Sequence, residues 1–260
     1  MAYAPRLERQ STKQEMFSKN VKINDIAVPN VLKRKSHSEG FYFEMDYIRS
    51  LDCISFFNIC TTKELERFVS KISELIRKEI FLSSHESFPE DVFLEKYNSV
   101  KRAIHSSECS SLFKNFEDKI NQIFLNMPNE YIPVGICHGD LTLSNILIRK
   151  NDQNIFLIDF LDSFIESPLI DMVKIRQDTR HMWTVSSYGG SLDKSKFSIL
   201  MKHMDKMFEE EFKKYDFYKY FYNSFQIMNF LRILPYVKNK DQALICENAI
   251  ANVISEVEWI

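Results

Sequence analysis

Apolar positions are sparse at the start of the chain. Leu7, Met16 and Phe17 are spaced for one face of a short helix over Arg6–Phe17. Pro29 then opens an extended stretch. Val31–Lys35 and Phe41–Tyr47 flank a Ser36–Gly40 turn, and Phe41, Phe43 and Met45 alternate with Tyr42, Glu44 and Asp46. That period of two predicts a hairpin. Beyond Ile48 the period becomes helical. Thr61-x-x-Glu64 is a capping box, followed by Leu65, Phe68, Val69, Ile72, Leu75 and Ile76 at helix spacing. Ser87-x-Pro89-Glu90 starts another helix carrying Phe93, Tyr97, Val100 and Ile104, and a third is expected over Leu112–Leu125. Tyr131–Cys137, Ile146–Arg149 and Ile155–Ile158 read as short strands, the last two around the polar turn Lys150–Asn154. Helices are expected again near 169–180, 193–214, 216–234 and 241–257. The plan is a small strand-bearing N-terminal piece (1–48) and a large helical piece (49–260) holding one polar hairpin.

Composition narrows the function. With 45% hydrophobic and 27% charged residues the chain has the balance of a soluble globular protein. A net charge of −2 argues against a nucleic-acid binder, which carries a basic surplus. Only 5 of 260 residues are glycine, and neither G-x-G-x-x-G nor a P-loop occurs, which excludes the glycine-rich phosphate cradles. The five cysteines form no C-x-x-C pair, and the six histidines show no zinc-ligand spacing. No apolar run approaches the ~18 residues of a membrane span. The expectation is a cytoplasmic protein with reduced thiols, no membrane and no nucleic-acid partner.

The chemistry concentrates in His138-Gly139-Asp140-Leu141-Thr142-Leu143-Ser144-Asn145 and Ile158-Asp159-Phe160. In an antiparallel hairpin paired positions have a constant index sum. A turn centred on Asp152 gives 304, which pairs Asn145 with Asp159. An amide oxygen and a carboxylate at one end of a hairpin suit a hard cation such as Mg²⁺. Asp140, one loop earlier, is expected to point at the same space, where it can orient a hydroxyl beside a metal-bound phosphate. Other residues have plainer readings. Asp162 reads as a turn residue, Cys137 as a small buried hydrophobe, Glu209–Glu211 as a solvated helix face, and Tyr215, Tyr218 and Tyr222 as a core stripe.

The pattern H-G-D-x-x-x-x-N followed by I-D-F resembles the aminoglycoside phosphotransferase and choline kinase-like family, small-molecule relatives of the protein kinases. The resemblance implies an α+β, protein-kinase-like fold with a truncated N-terminal lobe (helix plus hairpin) and a mainly helical C-terminal lobe. It implies a small-molecule kinase that moves the γ-phosphoryl group of ATP or GTP to a hydroxyl of a small metabolite, amino sugar or amino alcohol. It assigns Asp140 as catalytic base with His138 bracing its loop, Asn145 and Asp159 as Mg²⁺ ligands, and Asp171 as a tie from helix to loop. Met45 becomes the gatekeeper before a hinge, Asp46, Tyr47 and Ile48, whose backbone meets the purine. In the family, a nucleotide-covering turn and a strand lysine precede the first helix. No lysine stands ahead of Arg6 to meet Glu8, Gln10 or Glu15. The departure implies weak nucleotide binding by this form, and makes a catalytically impaired binding module the alternative. The acceptor is not readable from the sequence.

Overall fold

A computed structural model describes residues 4–37, 40–188 and 192–257. Helix α1 spans Ala4–Asn20, longer at both ends than its pattern suggests. Its inner face is Ser11, Gln14 and Phe17, continued by Val21 just past its end, all buried, whereas Met16 is 53% exposed. Two of those four are polar, so an apolar count misplaced the face. Strand β1 (Ile26–Ala27) follows, then the expected hairpin of β2 (Val31–His37) and β3 (Gly40–Met45). The tip of the expected turn, 38–39, lies outside the described residues. Strand β4 (Ser50–Asp52) leads into α2 (Cys53–Ile59), where the Asp52 carboxylate accepts from the Ser55 N–H at 2.7 Å.

The capping box forms as expected at the head of α3 (Thr62–Leu82). Thr61 N–H donates to the Glu64 carboxylate at 2.7 Å, and Glu64 N–H donates to the Thr61 hydroxyl at 3.3 Å. All six apolar residues of the pattern are buried. Strand β5 (Ser84–Ser87) is fully exposed and polar, so nothing in its pattern marks it as a strand; its pairing with β6 (Tyr131–Val134) does. Helix α4 (Glu90–His105) buries Phe93, Tyr97, Val100 and Ile104. The single helix expected over Leu112–Leu125 is two, α5 (Ser110–Lys114) and α6 (Glu117–Leu125). Between them Asn115 and Phe116 bond back only three residues, to Leu112 and Phe113, which tightens the backbone into a turn.

After β6 the chain runs through a loop and a 3₁₀ turn (Leu143–Asn145) into β7 (Ile146–Arg149) and β8 (Ile155–Leu157). This hairpin is the centre of a four-stranded sheet ordered β1-β8-β7-β4. The two flanking strands have two and three residues, too few for a period to show. Helices α7 (Pro168–Thr179), α8 (Trp183–Ser187), α9 (Lys194–Phe212), α10 (Asp216–Ile233) and α11 (Lys240–Glu256) complete the chain. Phenylalanine dominates the core: Phe93 meets Phe124 edge-on at 5.0 Å, and Phe88 stacks on Phe221 at 4.6 Å. Glu209, its side chain 41% exposed, does more than face solvent. It pairs with the buried guanidinium of Arg176, which Asp205 also holds at 2.8 Å. No helix among the described residues is long and apolar enough to cross a membrane.

The capping box should be worth what such boxes usually are. Thr61→Ala should lower the unfolding free energy by about 1 kcal/mol, read as a shift in the urea midpoint at unchanged slope. An unshifted midpoint would mean that α3 is fixed wholly by its packed face.

Candidate active site

The central hairpin has an index sum of 303, not 304: Ile146 pairs with Leu157, Leu147 with Phe156, Ile148 with Ile155. The centre of the turn lies half a residue before Asp152. Asn145 therefore stands opposite Ile158, whose N–H donates to the Asn145 carbonyl at 3.0 Å. Asp159 is one residue beyond the register, and its backbone takes the left-handed conformation, φ 60°. That conformation is strained for a residue with a side chain and is retained where the surroundings impose it. The cross-strand pair expected from the index sum is thus corrected; both residues remain at the same end of the hairpin, beyond the strands.

Asp140 faces this end. Lys174 of α7 lies 3.0 Å from its carboxylate, and the Asn145 amide nitrogen donates to both the Asp140 carboxylate and its carbonyl at 2.9 Å. Burial alone would raise the pKa of Asp140. Lys174 and the Asn145 bond outweigh it and hold the carboxyl below its usual range. Asp159 shifts the other way: burial and the nearby Asp140 charge raise it, and Arg6 offsets only part. Among the described residues no group donates to the Asp159 carboxylate, and the Asn145 side-chain oxygen likewise has no partner. Two free oxygen ligands beside an ionised carboxylate fit a hard divalent cation, which needs few protein ligands. No cluster of three or more His, Cys, Asp or Glu suited to a metal occurs among the described residues. The site is no all-protein cage.

The loop is braced from below. Asp171 accepts from the backbone N–H groups of His138 at 2.6 Å and Gly139 at 2.8 Å. His138 is wholly buried. Its Nε2 meets the Ile158 carbonyl at 2.9 Å, and its Nδ1 accepts from Asp140 N–H at 3.2 Å. Burial lowers its pKa to about 4, so the ring is neutral, with both nitrogens spent on backbone. Gly139 has φ 86°, and a Cβ there would lie 1.9 Å from the Leu161 carbonyl oxygen, so only glycine fits. Asp178 holds the 3₁₀ turn, accepting from Leu143 N–H at 2.6 Å and Thr184 N–H at 2.8 Å. Asp171, Lys174 and Asp178 stand at i, i+3 and i+7, so one face of α7 carries all three toward the loop. That spacing was present in the sequence and would have found Lys174 and Asp178.

Further partners were not readable from spacing. Glu79 of α3 is wholly buried, and the polar group acting on its carboxyl is that of Asp171. Burial, then the charge of Asp171, raises its pKa well above the ordinary value. Asp171 itself is raised to about 6, mainly by burial. Helix α1 docks on the segment after Asp159. Lys13 donates to the Leu161 carbonyl at 2.6 Å and to Glu166 at 2.5 Å, Arg9 pairs with Asp162 at 2.6 Å, and Phe17 packs on Phe160 at 4.9 Å. Glu15 does meet a cation, though not an upstream lysine: Arg34 of β2 lies 3.0 Å away. The residues expected at the hinge leave β3 together. Met45 ends the strand and its sulfur accepts from Gln14 of α1 at 3.7 Å. Asp46 bonds back to Asn30, while Tyr47 is 92% exposed and Ile48 leads to β4.

The model of the phosphotransferase enzyme family (APH) matches residues 85–193, which contain the whole loop and hairpin. Similar folds occur among solved kinases. Glucosamine kinase in complex with glucosamine, ADP and inorganic phosphate aligns over 94% of this chain and 67% of its own, with TM-score 0.63 and 12% identity. A thermostable mutant of aminoglycoside phosphotransferase APH(4)-Ia, in a ternary complex with AMP-PNP and hygromycin B, aligns over 95% and 82%, with TM-score 0.62 and 12% identity. The GDP complex of aminoglycoside 2′-phosphotransferase-IIIa aligns over 95% and 82%, with TM-score 0.57 and 15% identity. No curated protein sequence matches the chain. The fold is the protein-kinase-like one that the motif implied, and the resemblance to the phosphotransferase family stands on both sequence and fold.

The buried Glu79 should leave a mark on stability. Unfolded, it ionises near 4.5; folded, it keeps its proton to a much higher pH. Its favourable contribution is complete below about pH 4.5 and is lost as pH rises toward the folded value. Glu79→Gln should therefore flatten the decline in stability between pH 5 and 7.5. Glu79→Gln should be more stable than wild type at the upper pH, with the difference shrinking toward the lower pH. Asp171, raised in the same sense, leaves a residual slope. Urea midpoints of both proteins at both pH values are the measurement, and parallel curves would refute the assignment.

Proposed function

We propose that this chain, which carries the phosphotransferase enzyme family's pattern at 85–193 on a small-molecule kinase fold, transfers the γ-phosphoryl group of ATP or GTP to a hydroxyl of a small metabolite. The observation that carries the reading is the triad of oxygens at one end of the hairpin: an ionised Asp140 tied to Asn145, and an unpartnered Asp159 held in a strained backbone.

The Asn145 side-chain oxygen and the Asp159 carboxylate would hold Mg²⁺, which when bound neutralises charge on the nucleotide phosphates. Asp140 accepts a hydrogen bond from the acceptor hydroxyl and aims its lone pair at the γ-phosphorus. As the new P–O bond forms and the bond to the nucleoside diphosphate breaks, the hydroxyl proton passes to Asp140. Lys174 keeps Asp140 ionised in the resting site. His138, Asp171 and Asp178 touch no reacting atom in this reading; they position the loop through its backbone. The backbone at Asp46–Ile48 is the natural place for the purine edge, since it leaves a strand end beside α1. A catalytically impaired binding module is the competing reading. The ion pair of Asp140 with Lys174 favours it, because a paired carboxylate is a weaker base.

Asp140→Asn separates the two readings. It should reduce kcat by 10²–10⁴-fold, the usual worth of general-base assistance, while Mg²⁺–nucleotide affinity stays within about twofold. Asp159→Asn should instead lose nucleotide affinity together with activity. Phosphoryl transfer measured beside calorimetric Kd, with circular dichroism to confirm folding, is the test. Near-wild-type turnover in Asp140→Asn would defeat the mechanism.

A further inference from the structure

Beside Asp140 opens a cleft of about 700 Å³ between the first turns of α1, helix α4 and the end of α10. Asp140 lines it, while Asn145 and Asp159 do not, so the cleft lies on the hydroxyl side of the proposed transfer and away from the metal pair. Its charges are unbalanced. The two carboxylates in its wall are already matched, Asp140 by Lys174 at 3.0 Å and Asp162 by Arg9 at 2.6 Å. Three cations remain: Arg6, Lys96 and Arg232.

None of these three has an acid within salt-bridge distance or a hydrogen bond among the described residues. The Arg232 guanidinium carbon sits 5.6 Å from the centroid of the Phe164 ring, a contact that uses none of its N–H donors. Lys96 and Arg232 stand near enough, and far enough from water, that burial and then their mutual repulsion lower the lysine's pKa. Burial lowers the pKa of Arg232 too; Asp140 and Tyr236 offset part of that, and the Arg6 charge adds a smaller lowering. A folded protein gains nothing from bringing three cations to one partly desolvated wall, since like charges repel and desolvation costs each of them. The arrangement is stabilised by an anion that enters the cleft.

We propose that the acceptor is an anionic hydroxyl compound, carrying a carboxylate or phosphate that Arg6, Lys96 and Arg232 hold while its hydroxyl faces Asp140. The inference rests on the phosphotransferase reading for the role of Asp140, but not for the anion site itself. It also sets this chain apart from the glucosamine and hygromycin B complexes to which its fold is similar, both of which hold amino-bearing molecules.

The test is nucleotide-free calorimetry on the full chain. Glucose 6-phosphate and glucosamine share a hexose frame and carry opposite charge; glycerol 3-phosphate and gluconate vary the frame, and sulfate measures bare-ion binding. At least one of the three organic anions should bind tenfold more tightly than glucosamine and than sulfate. Arg232→Gln and, on a different helix, Lys96→Gln should each weaken that anion by about tenfold, with folding confirmed by circular dichroism. Mg²⁺–ATP affinity should stay unchanged in both variants. Preferential binding of glucosamine, or failure of all three anions, overturns the proposal. Anion affinity unchanged in both folded variants does so too. A matching loss of Mg²⁺–ATP affinity would assign the cluster to the nucleotide instead. Anion binding without phosphoryl transfer from ATP or GTP would leave the anion site standing and remove the kinase reading.

Discussion

A buried carboxylate must be met by donors, and Asp171 is met by the loop it serves. It accepts from two consecutive backbone N–H groups, those of His138 and Gly139, in a wholly buried setting. That pair of bonds fixes the path of the chain immediately before Asp140. Gly139 must then take φ 86° against the Leu161 carbonyl, and His138 must lie under the loop with both ring nitrogens bonded to backbone. Helix α7, buried at every position but Lys174, is the rigid rail that sets these distances. Its three inward polar residues brace the loop, neutralise Asp140 and hold the 3₁₀ turn in one stroke.

The same low dielectric divides the acidic groups by role. Asp140 has a cation and an amide to hold its charge, so it stays ionised despite burial. Asp159 has no bonded donor and only the Arg6 charge to offset burial and the neighbouring carboxylate, so it is raised. Glu79, wholly buried beside Asp171, is raised well above its ordinary value, first by burial and then by the Asp171 charge. Three carboxyls on adjoining elements are thus shifted differently because of what stands beside each.

Helix α1 closes the site from above with cations. Arg9 and Lys13 fasten it to the segment after Asp159, and Arg6 reaches the cleft shared by α4 and α10. The basic wall of that cleft is assembled from residues 6, 96 and 232, which no local pattern relates to one another.

Local chemistry settled much of this protein in advance. The capping box at Thr61, the helical spacing of Leu65–Ile76 and of Phe93–Ile104, and the alternation at Phe41–Asp46 each depend on neighbours within a few residues, and each formed. The H-G-D and I-D-F residues were legible because their spacing is itself the chemistry. Where a feature depends on a partner distant in sequence, the chain alone was silent or slightly wrong. Polar β5 is a strand only because β6 lies beside it, and the two-residue β1 only because β8 does. The hairpin register shifted by one because the turn around Gln153, itself at φ 59°, sets the centre, and side-chain spacing does not encode it. Lys174 beside Asp140, Glu79 beside Asp171 and the three free cations of the cleft are meetings of elements tens to hundreds of residues apart. Charge at those meetings is decided by distance and burial in the folded chain, and those are quantities only the tertiary structure supplies.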